Sequence, residues 1–427
     1  MKRRFFLGSL AGLGGFLISG SAQGVIEDNP VLKDEKKKMD LNDIVDSFPI
    51  LQNPTPDGMS VCWAIRRPGT GYVEWGTTPK LGNIARDSYA GLFPYEDRFL
   101  SSRIEGLLPG TTYYYRTVSI GMDFPQYGKM LSGDPVYCKI HSFKTPDPAA
   151  KKASFFVMND THANQAVLDR LTQKILEKKP DYTLWNGDTI GDINSADLVV
   201  KGIMQAGNRP YASSIPLLFA AGNHDHRGPW ARNLVKAFLP WNTADPEFRT
   251  LAWNFSVRQG PLAILGMDTG EDKPDKHPIW KGLADFDDLR KLQARWLEKT
   301  LNKPEIKSAP FVVVCCHIPL FDPDPAANPG EILENWADWQ SRCAELWGPI
   351  FNKYGVQAVI VGHKHRLIPS NPPDEKRKWF QIRGGGPNLE SNGAFIHVSA
   401  DQEKMVICRE ILKDGSCDEE WSFKKRF

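Results

Sequence analysis

The segment Leu217-Leu-Phe-Ala-Ala-Gly-Asn-His-Asp-His226 decides how this chain is interpreted. Its apolar first half is typical of a buried strand, and Gly222 then allows the backbone to turn. The turn delivers an amide oxygen from Asn223, an imidazole from His224 and a carboxylate from Asp225 at one loop. A polar turn after a buried strand is also explained by a helix cap, so this segment alone does not establish a functional site.

The same pattern, an apolar strand followed by side chains of metal-binding type, occurs at four other places. These loops carry Asp160-Thr-His162, Asn186-Gly-Asp188, His317 and Gly362-His-Lys-His365. Five strand ends of one domain can converge at one edge of its sheets. Together they offer oxygen and nitrogen ligands but no thiolate, a set that suits two ions such as Fe, Mn or Zn.

The spacing of the candidate ligands has a geometric interpretation. Asp160 and His162, like His363 and His365, are separated by one residue. We expect each pair to lie on a short extended segment whose alternate side chains point the same way. A carboxylate between the two groups can bridge ions held about 3.5 to 4 Å apart. Glycines that precede three of the candidate ligands allow sharp turns.

Length and composition bound the class of protein. A chain of 427 residues favours two domains with appendages, and contents of 41% hydrophobic and 24% charged residues are typical of globular proteins. The 53 Lys and Arg against 51 Asp and Glu give a net charge of +2. This balance offers no overall attraction to nucleic acid or anionic lipid.

The first residues indicate export. Met1-Lys-Arg-Arg-Phe-Phe-Leu7 precedes an apolar run and a small-residue cleavage pattern, which resembles a bacterial twin-arginine signal over residues 1–22. An uncleaved membrane anchor is the alternative. We therefore expect a periplasmic or extracellular protein, with a polar tether over residues 23–47 and no later stretch long enough to span a bilayer.

Residues 48–148 show alternating runs separated by Pro and Gly turns, which predicts a small all-β sandwich without helices. The predicted strands are Met59–Ile65, Gly71–Trp75, Thr111–Val118 and Cys138–Thr145. The segment Leu107–Tyr115 resembles the corner of a fibronectin type III-like domain. Pro146-Asp-Pro148 is the expected boundary.

Residues 149–427 alternate strands with amphipathic helices, which predicts an α/β domain built from βαβ units. The predicted strands are Ala153–Met158, Tyr182–Trp185, Leu217–Ala221, Phe311–Cys316 and Val356–Val361, and a hairpin joins Ala394–Ser399 to Lys404–Arg409. Helical stripes run over residues 167–175, 289–301 and 347–354, the last ending before Gly355.

Seven cysteines do not form a framework of disulfides. Cys62 and Cys138 fall in the same predicted domain and are the pair we expect first. Cys315 and Cys316 are adjacent in a strand, so we interpret them as buried hydrophobic residues.

The ordered loops, Asp-x-His, Gly-Asp, Gly-Asn-His-Asp, a strand-terminal His and Gly-His-x-His, together resemble the calcineurin-like metallophosphoesterase superfamily. A β-sandwich ahead of them is similar to the arrangement in purple acid phosphatases. The resemblance implies a four-layer αββα catalytic domain. It also implies a hydrolase of small phosphate esters that uses a hydroxide bound to two metal ions.

The resemblance also implies a role for each motif residue. The first ion would take Asp160, His162 and His365, the second Asn223, His317 and His363, and Asp188 would bridge them. His224 would protonate the leaving oxygen or stabilise the transferring phosphoryl group, and Asp225 would orient His224.

The chain departs from coloured purple acid phosphatases at one position. Gly191 stands where those proteins carry a tyrosine, so an obligatory ferric ion is not implied. His226 and Arg227 are candidate substrate-binding residues, although a polar loop face explains them equally. The segments 271–278 and 320–330 either rim the substrate pocket or are surface loops.

Three functions are compatible with these patterns. A phosphomonoesterase is the leading hypothesis, and a phosphodiesterase with the same site is the second. A non-catalytic phosphate-binding or surface-binding protein is the third, and the complete set of expected ligands argues against it.

Overall fold

The computed structural model describes residues 40–205, 209–321 and 336–427. The predicted export signal, most of the predicted tether and residues 322–330 of the predicted insertion lie outside these ranges. Residues from Leu41 to Phe427 belong to one compact unit. Within the described ranges, no helix has both the length and the apolar character that crossing a bilayer requires.

Residues 40–148 form strands and no helix, as predicted. The strands are β1 (Ile50–Thr55), β2 (Gly58–Ala64), β3 (Gly69–Gly76), β4 (Asn83–Ala85), β5 (Phe99–Glu105), β6 (Thr112–Gln126), β7 (Lys129–Ser132), β8 (Val136–Tyr137) and β9 (His141–Lys144). They make a β1-β2-β5 sheet and a β4-β3-β6-β7 sheet, with β8 and β9 also paired to β6.

One apolar core is shared by these two sheets. Trp63 of β2 and Tyr115 of β6 are both fully buried in it. The Trp63 indole donates to Ser119 Oγ at 2.9 Å, which satisfies its buried N–H. The predicted strands at β2, β3, β6 and β9 are confirmed, whereas β1, β4, β5, β7 and β8 lie outside the predicted strands.

Residues 149–427 alternate strands and helices. The elements are β10 (Ala153–Met158), α1 (Gln165–Lys178), β11 (Tyr182–Asn186), α2 (Ala196–Val199), β12 (Leu217–Ala220), β13 (Phe255–Gln259), β14 (Leu262–Met267), α3 (Phe286–Leu301), α4 (Pro304–Lys307), β15 (Phe311–Cys316), α5 (Trp336–Tyr354), β16 (Ala358–Val361), β17 (Phe380–Arg383), β18 (Ala394–Ala400), β19 (Lys404–Ile411) and β20 (Cys417–Lys424).

Two mixed sheets organise this part of the chain. One has the order β12-β11-β10-β18-β19-β20, and the other the order β13-β14-β15-β16-β17. β10, β11 and β12 are parallel to one another, as are β14 to β17. The carboxyl ends of parallel strands lie at one edge of a sheet, which is where ligands bind in open α/β sheets.

Alternating side chains on the strands face different cores. Phe155 and Val157 of β10 lie in a core formed by both sheets, and Phe156 faces the cluster that includes α1. In the other sheet, Val313 of β15 faces the shared core, while Val314 packs in the cluster with α3 and α5. Period-two alternation in the largely apolar strands β10 and β15 thus buries both of their faces.

The predicted helices are confirmed. The Asn164 side chain accepts a hydrogen bond from Val167 N and caps α1 at its amino end. Four stripe residues of α1 are buried, namely Val167, Leu168, Leu171 and Ile175. α5 ends at Tyr354, and Gly355 follows with a φ of +66°.

Among the described residues from 149 onward, four strands lie outside the predicted set: β13, β14, β17 and β20. β14 is entirely buried, and β13 is a short alternating strand that pairs with it. Buried strands of four to six residues look like any short apolar run, so pairing partners rather than local sequence define them.

The expected Cys62–Cys138 pair is wrong. Cys408 of β19 is bonded to Cys417 of β20, with their Cα atoms 6.2 Å apart, a normal separation for a disulfide. Cys62 is instead buried against Lys236 O, and its burial raises the pKa of the thiol to about 12. Cys138 contacts His141. Cys315 and Cys316 are buried, as expected.

The core between the two sheets should dominate stability. Ile264→Ala removes a fully buried side chain of β14, so we expect the free energy of unfolding to fall by about 2–5 kcal/mol. Urea unfolding measures this. Ile84→Ala, at a side chain 65% exposed, is the control and should change stability by at most about 0.5 kcal/mol. Equal effects of the two changes would contradict the assignment of this core.

Candidate metal centre

The loop after β10 carries Asp160 and His162 beside the loop after β11. Asp160 N donates to Gly187 O at 3.1 Å, and His162 N donates to Asp188 O at 3.2 Å. The hydrogen bonds between the two parallel strands therefore continue beyond the strand ends. They hold both loops at the edge of the sheet.

The two oxygens of the buried Asp160 carboxylate have different environments. Oδ2 accepts from Asn159 Nδ2 at 2.5 Å and from His363 N at 2.7 Å. Oδ1 has no hydrogen-bond partner within the described part of the chain. It lies 3.0 Å from His365 Nε2 and 3.7 Å from His317 Nε2. The protein thus fixes one oxygen and directs the other into the cluster.

The two ring nitrogens of His317 also have different environments. Its Nδ1 lies 2.8 Å from Asn186 O and donates to this carbonyl, which fixes the ring. Its Nε2 is buried without a hydrogen-bond partner in the described residues and lies 3.2 Å from Asp188 Oδ2. Asn186 also donates to Cys316 O at 2.8 Å, so it links β11 to β15 of the other sheet.

Two groups of potential ligand atoms share Asp188. One comprises Asp160, His162, Asp188 and His365, and the other comprises Asp188, His317 and His363. Within each group the ligand atoms lie within 4.8 Å of one another. Asn223 Oδ1 joins the second group, 3.0 Å from His363 Nδ1. The structure therefore brings together all seven residues predicted as metal ligands.

The electrostatics of the cluster favour a cation. Burial alone would lower the pKa of the His317 imidazole, but the carboxylates of Asp188 and Asp160 overcome it and raise this pKa to about 10. Burial and the neighbouring His317 lower the pKa of His363 to about 4. Two unpartnered buried atoms and two fully buried carboxylates fit a pair of metal ions, because bound cations would satisfy them.

The backbone of the ligand loops is not extended, contrary to our expectation. Asp160, His162, Asp188, His363 and His365 all have φ between 42° and 75°, in the left-handed region. Non-glycine residues rarely adopt this conformation, and each costs about 1–3 kcal/mol. The ligand pairs therefore converge through strained turns rather than through strand-like alternation.

Asp225 does not orient His224, contrary to the prediction. Its buried carboxylate accepts from Gly222 N at 2.8 Å, Asp188 N at 2.9 Å and the Thr189 hydroxyl at 2.6 Å. These bonds hold the loop after β12 against the loop after β11. Burial, together with the charge of Asp188, raises the pKa of Asp225 to about 6.

His224 lies at the edge of the cluster. Its ring centroid is 5.0 Å from that of His162, and its backbone N donates to Asp188 Oδ1 at 3.0 Å. The nearest carboxylate oxygen in an ion-pair contact is Asp192 Oδ1, 3.7 Å from Nδ1. Arg227 Nη1 lies 3.1 Å from Nε2.

The two candidate substrate-binding residues are engaged by carboxylates. Arg227 bonds to Glu271 and Asp272, and His226 Nε2 lies 2.9 Å from Asp268 Oδ1. These three acidic residues follow β14, so they mark a further strand end at the site. The sequence signal for this strand end is an apolar run followed by Asp268. It was missed because β14 is not among the predicted strands.

Two glycines make room for the ligands. A Cβ on Gly222 would lie 2.4 Å from Asp188 Oδ1, and one on Gly187 would lie 2.4 Å from His317 Nδ1. Real Cβ atoms do not come so close to other heavy atoms. The glycines are required for close approach at both positions.

We expect Gly222→Ala to displace Asp188 and to lower the metal content of the purified protein by at least half. Inductively coupled plasma spectrometry measures the metal, and circular dichroism checks the fold. Gly348→Ala is the control, because a Cβ there meets no atom within 4 Å. Unchanged metal content in Gly222→Ala would show that the loop has room that the structure does not indicate.

We expect Asp225→Ala to lower the free energy of unfolding. It leaves three backbone N–H groups and a hydroxyl without their buried acceptor, so we expect about 3 kcal/mol or more of lost unfolding free energy. His224→Ala should cost much less. Urea unfolding of both variants tests this, and equal stability of the two would contradict a structural role for Asp225.

The sequence profile of calcineurin-like phosphoesterases matches residues 153–367, half of the chain. The chain is 24% identical over 327 residues to probable purple acid phosphatase 20 of Arabidopsis thaliana, covering 73% of this chain and 65% of that protein. It is 23% identical over 335 residues to acid phosphatase type 7 of Homo sapiens, covering 74% and 68%. The alignments thus span about two thirds of these relatives' length.

Two solved structures have a similar fold. Purple acid phosphatase PPD1 from yellow lupin seeds aligns with a TM-score of 0.61 at 17% identity, covering 88% of this chain and 74% of that one. PhoD aligns with a TM-score of 0.59 at 11% identity, covering 89% and 91%. Together with the profile match over the residues that build the metal centre, these findings show that the chain belongs to the calcineurin-like phosphoesterase family.

Proposed function

We propose that this protein is a hydrolase of phosphate esters, dependent on two metal ions, and that phosphomonoesters are its substrates. The observation that carries the proposal is the pair of ligand groups that share Asp188. Family membership and the similarity to acid phosphatases support it.

Each predicted ligand has a place in this proposal. Asp160, His162 and His365 would hold one ion, and Asn223, His317 and His363 the other, with Asp188 between them. When bound, such ions supply Lewis acidity toward phosphoryl oxygens and a water of lowered pKa. The donor set of carboxylate, amide and imidazole suits Fe, Mn or Zn.

We assign the remaining contact with the substrate phosphate to His224. Its imidazole is 29% exposed, unlike the fully buried imidazole of His317, so a substrate can reach it. From the edge of the cluster it would donate a hydrogen bond to an oxygen of the substrate phosphate, through the ring nitrogen that does not face Arg227. Asp225 supports this indirectly, because it holds the loop on which His224 lies.

We also propose the finer points of architecture and location. The two mixed sheets with helices on their outer faces would constitute a four-layer αββα sandwich over residues 149–427. Residues 48–148 would be a fibronectin type III-like domain. Export to the periplasm or outside the cell would follow from residues 1–22.

The proposal is tested by metal analysis and hydrolysis together. We expect about two ions per chain after loading with Fe, Mn or Zn, and faster turnover of a chromogenic phosphomonoester than of a phosphodiester. Asp188→Asn should lose metal and activity. His224→Ala should keep the metal and lose about 100-fold or more in kcat, a typical effect of removing a hydrogen-bond donor that stabilises the transition state.

His397→Ala is the matched control, since this half-buried histidine lies on β18 and pairs with β19 away from the cluster. It should leave both metal content and turnover unchanged. Full metal occupancy without hydrolysis of either substrate would refute the enzymatic proposal. Preference for the diester would correct the substrate class alone.

A further inference from the structure

The loop after β14 forms a charged network beside the metal centre. It carries Glu271, Asp272 and Lys273, and Arg227 from the loop after β12 inserts between the two carboxylates. Glu271 is fully buried, and only 17% of the Arg227 side chain is exposed. Long charged side chains are buried to this extent only when they are paired.

All three nitrogens of the Arg227 guanidinium are engaged. Nε donates to Glu271 Oε2 at 2.8 Å, and Nη2 donates to Glu271 Oε1 at 2.5 Å and to Asp272 Oδ1 at 2.9 Å. The pairing with Glu271 is bidentate, which fixes the plane of the guanidinium as well as its position. Nη1 then lies 3.1 Å from His224 Nε2.

The contact between Arg227 and His224 has a defined direction. A guanidinium only donates hydrogen bonds, so His224 Nε2 is the acceptor. This hydrogen bond restrains the orientation of the imidazole ring through its Nε2 atom. On the other side, Asp192 Oδ1 lies 3.7 Å from Nδ1.

The charge of Arg227 is already balanced. One guanidinium faces two carboxylates, and the Lys273 ammonium donates to Asp272 Oδ1 at 2.6 Å, so the four groups have zero net charge when both carboxyls are ionised. A phosphate would have to compete with Glu271 for the same donors. Arg227 is therefore poorly placed to act as a free phosphate-binding cation.

The network is itself held in place from α3. The buried Arg290 donates to Thr269 O at 2.8 Å and to Glu271 O at 2.9 Å. On its other side the network approaches the metal ligands, with Asp272 Oδ2 4.0 Å from His363 Nε2. The loop after β14 thus approaches a candidate ligand directly and His224 through Arg227.

We propose that Arg227 is a positioning residue that acts through His224, and that Glu271 and Asp272 hold it for this purpose. The inference rests on the proposed function, since it assigns the support of that reaction's hydrogen-bond donor. It replaces the direct contact with substrate that the sequence suggested for Arg227.

A double-mutant cycle on the metal-loaded full chain tests the inference. We expect Arg227→Gln to lower kcat about 10- to 100-fold with KM changed less than about threefold, as for other residues that orient a group at a metal centre. In the His224→Ala background the same change should cost less than about twofold, because the group it positions is gone.

Glu271→Gln should reproduce most of the Arg227→Gln loss, because it releases the guanidinium. Arg227→Lys should recover part of kcat. Calorimetric titration with inorganic phosphate supplies a second readout, and the Kd should stay within about twofold of wild type in Arg227→Gln. Arg116→Gln, which breaks a comparable pair with Glu74 on the distant β3–β6 sheet, is the matched control and should change none of these values.

Additive losses in the cycle, or a Kd for phosphate raised tenfold or more in Arg227→Gln, would overturn the inference and make Arg227 a substrate-binding residue. A Glu271→Gln variant that binds phosphate more tightly without losing kcat would also overturn it. Failure of the proposed function looks different, since the wild-type protein would then hydrolyse neither chromogen. Circular dichroism and metal analysis of each variant separate misfolding from these outcomes.

Discussion

Two carboxylates, Asp160 and Asp188, are buried where the edges of the two central sheets meet, and such charges have to be compensated. The surrounding protein does this only in part. It donates hydrogen bonds to one oxygen of Asp160 and directs the other oxygen, with His317 Nε2, toward a common space. Much of the local structure follows from the need to compensate these two carboxylates. If cations supply the compensation, the protein has to hold the ligands in place before the cations bind.

Rigidity at the centre comes from hydrogen bonds between loops. Asn186 joins the two sheets through Cys316 O and the ring of His317, and Asp225 joins the loops after β11 and β12. These bonds offset the strain of ligands held at positive φ. Residues that never touch a substrate are therefore as necessary to the geometry as the ligands are.

A second, outer layer of charge surrounds this centre. Arg227, Glu271, Asp272 and Lys273 neutralise one another, so the rim beside His224 is ordered without being strongly positive. Because this rim has no net positive charge, attraction of a phosphate would have to come from the centre itself. The rim also separates two tasks, since the inner carboxylates favour cations while the outer pairs fix the orientation of side chains.

Local sequence was enough to predict the strands and helices with strong periodicity and the seven residues that converge at the centre. It could do so because each ligand directly follows an apolar strand, and parallel strands deliver their carboxyl ends to one edge. Short strands such as β14 and β17 have no distinctive local pattern and depend on their neighbours for definition. For that reason Asp268 was missed and the contacts of Glu271 and Asp272 were not predicted, although the segment 271–278 was a candidate for the rim of the pocket.

The partner of each polar group, in contrast, depends on the tertiary structure. Asp225 follows His224 in the chain, yet it bonds to Asp188 and Thr189 of another loop, and Arg227 meets Glu271 from 44 residues away. Cys408 likewise pairs with Cys417 because β19 and β20 lie side by side. The candidate metal ligands can be recognised in the sequence because their side chains are of metal-binding type. The partners that orient these side chains cannot be recognised there, because they lie on segments that become neighbours only when the chain folds.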